Sequence, residues 1–472
     1  MQKDDALSDE IGFRNSQNIE VVGLCRHINR NSIAFDVYTP FSVVQLSEKL
    51  SQLVIRRGTR RIYQGNAVVT NLVNTGASIV VNATLTDPWK DLDGLIGQQS
   101  ESIQQEASRF LKDWKSSFDL RSDVQLSVTR IRSLLYQLSR WVEQVDLYLD
   151  DKKKAPDSEN LQNTIHAISK PIIPALYENI QNFEDSVKLI DNDSRERHRA
   201  FIQRDLHPLI LRSPFVHRTF MKPLGYAGDY EMVNMMLRNP YEGGSTYYKI
   251  VNSLFLNAQP VLAHQNRIKI LENYLREFSR KSAIEKRKIT ICNLGCGPAI
   301  EVQRTIRENI FHRNIELTLM DFNRETLDYT EAELKKIAME YGKDISNIKI
   351  IQKSVDSILR ERTTTGAGMH SKYDFVYCAG LFDYLNDKIC ARMLKIFFNW
   401  VKPGGTVLAT NVHKNHDARG IMEYLMDWHL EYRDEDGFGR LFQEEGNTRK
   451  KVYTDDSKVN IFLDIHKSSE LK

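Results

Sequence analysis

Gly295, Cys296 and Gly297 interrupt the run Lys288-Ile-Thr-Ile-Cys-Asn-Leu294 ahead of a segment, Ala299 to Asn309, with helical character. An apolar β-branched run, then glycines, then helical spacing reads as a strand, a tight turn and a helix start. Glycine belongs in such a turn when a ligand must lie against bare backbone, and the helix that follows aims its free N–H groups at whatever is bound. A purely structural turn would use the same residues. The carboxylate ending Glu316-Leu-Thr-Leu-Met-Asp321 stands 24 positions beyond Gly297, near the offset at which a doubly wound fold sets an acid against ribose hydroxyls. The dinucleotide fingerprint wants a small residue where this chain has Ile300, so a nicotinamide reading loses ground.

Further reactive side chains follow later strands. Tyr373 to Cys378 runs into Ala379-Gly380-Leu-Phe-Asp-Tyr384, and open α/β sheets take ligands beyond the carboxyl ends of their strands, so Phe382, Asp383 and Tyr384 are acceptor-side candidates. His413, in Asn411-Val-His-Lys-Asn-His416, can take a proton near neutral pH and is the candidate general base, a packing histidine being the other reading. His413, His416 and Asp417 have no metal-ligand spacing, and no metal is assigned. Upstream, Ser213 to Glu231 gathers two prolines, two glycines, several aromatics and Asp229. Backbone that folds over a ligand uses such residues, with Tyr226 and Asp229 pointing inward; a connector packed by its own aromatics is the alternative.

The elements that would position these groups follow in order: strands at Ile289 to Leu294, Glu316 to Asp321, Asn347 to Gln352, Tyr373 to Cys378 and Val401 to Thr410, then a closing pair at Val452 to Thr454 and Val459 to Ile465, one of them antiparallel. With Lys402-Pro-Gly-Gly405 turning into the fifth strand, residues from about Ile284 to Lys467 resemble a class I S-adenosylmethionine-dependent methyltransferase. The resemblance implies an α/β doubly wound, Rossmann-like sheet and S-adenosyl-L-methionine as cofactor. It also implies that the turn Gly295, Cys296, Gly297 underlies the methionine part and that Asp321 accepts from the ribose. Ser354 and Val355 would meet the adenine, Asp356 would accept from its amino group, and Ala379 and Gly380 would border the methyl. Asn293 stands where the family often has an acid and can still bond an ammonium, while Glu301 either supplies the missing charge or caps the helix dipole.

Ahead of this domain the patterning changes. Residues 1–17 are polar and expected to be a flexible N-terminus; residues 18–90 carry short strands at Glu20–Cys25, Ser32–Tyr38, Gln52–Arg56, Arg61–Tyr63, Asn66–Thr70 and Ala77–Val81, spaced as in a small antiparallel barrel. This segment is similar to a PilZ domain, whose best-known members bind cyclic di-GMP. The nucleotide-binding residues of that family are not matched: Asn29 to Ala34 lacks the required Ser and Gly spacing, and Arg26-x-x-x-Arg30 falls within the first strands. Arg56, Arg57, Arg60 and Arg61 either hold phosphates or are a solvated hairpin edge. A cyclic dinucleotide or protein partner at the barrel is therefore an open expectation.

Residues 91–280 form a helical region. A hinge is expected at Asp87 to Gly94, one buried face at Phe110, Leu111, Trp114, Phe118, Ile131, Leu134, Leu135, Leu138, Trp141, Val142 and Val145, a charged loop at Asp150 to Asp157, and further helices at Leu161 to Ile190 and Tyr247 to Phe278. Residues 281–472 make the cofactor-binding domain, with an amphipathic helix expected over Arg419 to Arg433.

Composition bounds the function. With 472 residues, 41% hydrophobic and 27% charged, the chain is long enough for several globular domains. A net charge of +3 gives no push toward nucleic acid, no apolar run approaches a membrane span, and five cysteines without metal or disulfide patterning fit a cytoplasmic setting. The layout as a whole resembles the bacterial family labelled for biosynthesis of 3-hydroxypalmitic acid methyl ester. That resemblance implies O-methylation of a small, lipid-like acceptor, and the rival is a signalling module whose methyltransferase fold senses a ligand or methylates a protein.

Overall fold

The computed structural model describes residues 9–29, 31–38, 44–74, 78–87, 158–311, 314–364, 370–443 and 448–469, and most of 104–151. Expectations on Arg30, Phe110, 88–94 and 152–157 lie outside the described residues.

The first body is a closed antiparallel barrel of β1 (Glu10–Arg14), β2 (Glu20–Ile28), β3 (Ser32–Val37), β4 (Lys49–Arg57), β5 (Arg60–Asn74) and β6 (Ile79–Leu85), in the order β1-β2-β3-β6-β5-β4. Alternation fills it: Ile11, Phe13, Phe35, Leu50, Ile55 and Val81 point inward and are all but fully buried. Two expectations are corrected here. The stretch 1–17 is not loose at Glu10–Arg14, because Ile11 and Phe13 alternate inward and β1 is paired on both edges, to β2 and β4. The strands expected at 61–63 and 66–70 are one strand, β5. Gly65 does not end it; the glycine leaves room for the Tyr63 hydroxyl, which would lie 2.5 Å from a Cβ there. Arg57 stands opposite Arg60 and Arg56 opposite Arg61 across the β4–β5 hairpin, and Arg57 pairs with Asp9 at 2.9 Å.

The second body is helical: α1 (Ser122–Asp151), α2 (Ser158–Val187), α3 (Arg195–Ile210), α4 (Pro214–Met221), α5 (Tyr230–Leu237), α6 (Thr246–Leu256) and α7 (Gln259–Glu285). Val124, Val128, Ile131, Leu135, Leu138 and Val142 recur at three- and four-residue spacing on α1 and pack with Leu176, Phe183, Ile202 and Leu206. Leu111, Trp114, Phe118 and Trp141 do not join that face; each is at least half exposed, and Trp114 and Phe118 meet edge to face at 5.2 Å. The helix expected over 247–278 is two, because Pro260 has no N–H for the carbonyl of Leu256 and Ala258 is extended.

The third body is a seven-stranded sheet of β7 (Ile289–Leu294), β8 (Ile315–Asp321), β9 (Ile348–Gln352), β10 (Tyr373–Cys378), β11 (Val401–Val412), β12 (Thr448–Thr454) and β13 (Asn460–Lys467), in the order β12-β13-β11-β10-β7-β8-β9. The first five strands are mutually parallel and β13 is antiparallel to both its neighbours. Helices cover both faces. Alongside α7, α8 (Ile300–Arg307) and α9 (Arg324–Tyr341) bury one, while α10 (Val355–Thr364), α11 (Asp387–Trp400) and α12 (Glu435–Arg440) bury the other. The order reverses between β7 and β10, which is where such a sheet opens a crevice at its carboxyl edge.

The helix expected over 419–433 forms only in its first half: Arg419 and Gly420 are α-helical, Ile421–Leu425 continue as a π-helical turn, and the chain reverses at Asp427 with φ +48°. The reason is that its polar side chains are buried and paired: Asp427 takes hydrogen bonds from Arg199 (2.6 Å) and Gln203 (3.0 Å), and Arg433 pairs with Asp387 at 2.8 Å. Among the described residues no helix is long and apolar enough to cross a membrane.

Candidate active site

At the carboxyl end of β7 the backbone enters the left-handed region three times in five residues, at Gly295 (φ +70°), Gly297 (φ +51°) and Ala299 (φ +49°). A Cβ on Gly297 would meet open space. The turn is pinned to β8: Gly295 N and Cys296 N donate to Met320 O at 2.8 and 3.0 Å, and Gly297 N donates to Asp321 Oδ2 at 3.1 Å. Asp321 Oδ1 accepts from Asn323 N at 3.0 Å, and burial raises its carboxyl above the usual range.

Beneath the turn, Glu301 accepts from Tyr377 Oη (2.7 Å) and Asn293 Nδ2 (3.2 Å). Because the amide donates to a carboxylate on one side, its Oδ1 faces the other, and this buried oxygen has no hydrogen-bond partner among the described residues. Glu301 thus orients Asn293. Burial is also the leading cause that raises the Glu301 carboxyl.

One cavity joins these groups to the segment 213–231. It is lined by Asn293, Gly295, Cys296, Gly297, Glu301 and Asp321 on one side, and by Val355, Ala379, Gly380, Asp383 and Tyr384 at the ends of β9 and β10. Burial pushes the Cys296 thiol far up, which keeps it protonated. Asp383 Oδ1 accepts from Val412 N at 2.7 Å; burial pushes its carboxyl up to about 6, with Arg267 pulling the other way. Tyr384 Oη donates to Ala227 O (3.1 Å) and accepts from Trp428 Nε1 (3.0 Å), so it ties the loop to the sheet. Tyr226 packs over Phe322 with ring centroids 5.1 Å apart, its hydroxyl 3.5 Å from Thr326 Oγ1, and burial raises it well above the usual phenol range.

Five expected site residues are elsewhere, the first being Phe382, which is fully buried against Phe397 and Phe438 and does not line the cavity. Asp229 caps α5 through Met232 N (2.8 Å) and pairs with Arg218 at 2.9 Å, so it holds the loop's shape and does not line the cavity. His413 Nε2 lies 3.1 Å from Glu435 and also stays outside the lining, since its strand neighbour Val412 takes the cavity side and alternation turns His413 away. Ser354 exchanges hydrogen bonds with Ser357. Asp356 pairs with Arg360 at 2.9 Å, and its buried Oδ1 has no partner among the described residues.

The cavity also holds residues that no motif announced. Arg267 and His264 come from α7, Met232 and Met236 from α5, Trp428 and Leu430 from the reversed segment, and Gln17 and Gln45 from the barrel. A signal for Arg267 does exist: it interrupts the buried stripe Ala263, Leu271, Leu275 at four-residue spacing. Nothing local marks the two glutamines. Among the described residues, no three histidine, cysteine, aspartate or glutamate side chains are grouped to hold a metal.

No protein-family model matches the chain, and no curated protein matches it. Solved structures do. A possible exported protein from Bordetella parapertussis is 15% identical, with a TM-score of 0.39, over 54% of this chain and 86% of that one. Magnesium protoporphyrin IX methyltransferase from Synechocystis PCC 6803, with bound SAH, is 9% identical, with a TM-score of 0.32, over 44% and 85%. An O-methyltransferase family protein from Burkholderia thailandensis is 13% identical, with a TM-score of 0.32, over 58% and 72%. At such values the assignment of the fold rests on the strand order itself.

Proposed function

We propose that this protein is an S-adenosylmethionine-dependent methyltransferase that methylates an oxygen of a small apolar acceptor, a hydroxy fatty acid carboxylate being the favoured class. One observation carries the reading: a single cavity has a nucleoside-type half, made by the Gly295–Gly297 turn, Asn293 and Asp321, and an apolar half, made by Tyr226, Met232, Met236, Trp428 and Leu430. The residues fit the cofactor. Asn293 Oδ1 is a buried acceptor awaiting a donor such as an ammonium, and the space beside Gly297 admits a ligand against bare backbone. When bound, S-adenosylmethionine supplies an electrophilic methyl whose sulfur leaves as a neutral thioether.

The chain's own task is to align the acceptor oxygen and exclude water. A carboxylate is already ionised, so no base is required, and the placement of His413 outside the cavity suits that acceptor. Asp383 is the group placed to take a proton from a hydroxyl acceptor instead. The PilZ-like reading of the barrel, and a cyclic dinucleotide partner there, rest on the sequence resemblance; the lining residues Gln17 and Gln45 support a role in presenting the acceptor.

Methyl-labelled cofactor and 3-hydroxypalmitate test the proposal. The label is expected in an alkali-labile ester, at a rate flat between about pH 6 and 8 and kept in Asp383→Asn. Label in an alkali-stable ether, with a rate that climbs through about pH 6 and collapses in Asp383→Asn, would refute the carboxylate acceptor.

A further inference from the structure

Arg267 lines this cavity with no acid within ion-pair distance among the described residues. Its Nη2 donates to His264 Nδ1 at 2.6 Å, and its Nη2 and Nη1 lie 3.1 and 3.3 Å from the place a Cβ on Gly380 would occupy. Burial holds the His264 imidazole neutral, well below its ordinary pKa, so it accepts this bond without offsetting the charge. The neighbouring inward-facing arginines each have an acid: Arg199 has Asp427 at 2.6 Å, Arg218 has Asp229 at 2.9 Å, and Arg433 has Asp387 at 2.8 Å. Arg267 makes no such pair among the described residues; Asp383 and Glu301 reach it only through the longer-range field.

A guanidinium taken into a protein without an anion is costly to desolvate, and it carries five N–H donors in a planar fork, of which His264 uses one. That fork matches a carboxylate bidentately. The bare backbone of Gly380 is what admits the guanidinium, since a side chain there would crowd it.

We propose that Arg267 is the carboxylate-binding residue of the cavity, receiving the carboxylate of a bound small molecule while His264 fixes the orientation of its fork. The identity of that molecule rests on the methyltransferase reading and has two sources: the amino-acid end of the cofactor, and a carboxylic acid acceptor. Both offer the same anion.

Titration of the full-length chain separates them, using S-adenosylhomocysteine, then 5′-methylthioadenosine, which has the same nucleoside and thioether but no amino acid, then 3-hydroxydecanoate added over saturating S-adenosylhomocysteine. Wild type is compared with Arg267→Gln and Arg267→Lys. If the cofactor supplies the anion, Arg267→Gln weakens S-adenosylhomocysteine about tenfold or more and leaves 5′-methylthioadenosine unchanged, with Arg267→Lys between. If the acceptor supplies it, both nucleosides bind as in wild type and the affinity for 3-hydroxydecanoate is lost. Unchanged 5′-methylthioadenosine binding doubles as the control for folding. Variants that bind S-adenosylhomocysteine and the acid as wild type does would overturn the proposal. Failure of the wild type to bind either nucleoside would instead strike the cofactor reading, leaving the acid titration to decide for or against Arg267.

Discussion

Glu48 is 1% exposed and accepts from Ser16 N (2.7 Å), Ser16 Oγ (2.5 Å) and Gln45 N (2.6 Å), fastening together the two barrel loops whose Gln17 and Gln45 line the cavity. Burial pushes its carboxyl up to about 7, against the pull of those donors. An unfolded glutamate titrates near about 4.3, so the folded state prefers the protonated form. The resulting stability is fully present below that value and is lost as pH rises through about 7. We expect urea unfolding to show stability falling between about pH 5 and 8, with up to about 3 kcal/mol from this residue, and Glu48→Gln to flatten the slope. Glu184, raised to about 7 by burial beneath the Gly420 and Ile421 amides, keeps its own share. An unchanged slope in Glu48→Gln would refute the assignment. At this scale the sequence discloses residues unevenly. Asp383 and Tyr384, which directly follow a strand's carboxyl end, do line the cavity, whereas Asp229 and His413 do not, because their partners, Arg218 and Glu435, are visible only in three dimensions.

The segment 213–231 lines one side of the cavity through Tyr226, Ala227, Gly228 and Tyr230, and its glycines set its path. Gly228 has φ +80°, and a Cβ there would stand 2.8 Å from Tyr384 Oη, whereas Gly297, also left-handed, would meet nothing. Both Gly→Ala changes carry the left-handed penalty of about 1–2 kcal/mol, but Gly228→Ala must also displace Tyr384 from Ala227 and Trp428. Chemical denaturation is expected to show the larger loss for Gly228→Ala; equal losses would contradict the contact between loop and sheet. The strands of the sheet were legible to within a few residues because their apolar runs are continuous, as strands buried on both faces require. The stretch 419–433 was not. Helical spacing assumes a solvated polar face, and here Glu423, Asp427 and Arg433 are buried against partners from distant elements.

At the scale of the molecule, barrel, helices and sheet share one cavity. The barrel seats on the segment 213–231 and on the reversed loop: Lys49 N donates to Gly225 O at 2.7 Å and Ser47 Oγ to His429 O at 2.9 Å, while Gly225 has no Cβ to press on Ser16. Shifts in patterning announced three bodies, but no local signal in the barrel could announce that Gln17 and Gln45 would stand across from Gly295 and Trp428. The central claim is that this shared cavity holds a sulfonium nucleoside, and calorimetric titration of S-adenosylhomocysteine into the full chain tests it most directly. The account predicts saturable one-to-one binding that weakens about tenfold or more in Asn293→Leu, through loss of a hydrogen bond to a charged group. The absence of saturable heat in the wild type, or binding indifferent to Asn293→Leu and to Gly297→Val, would contradict it.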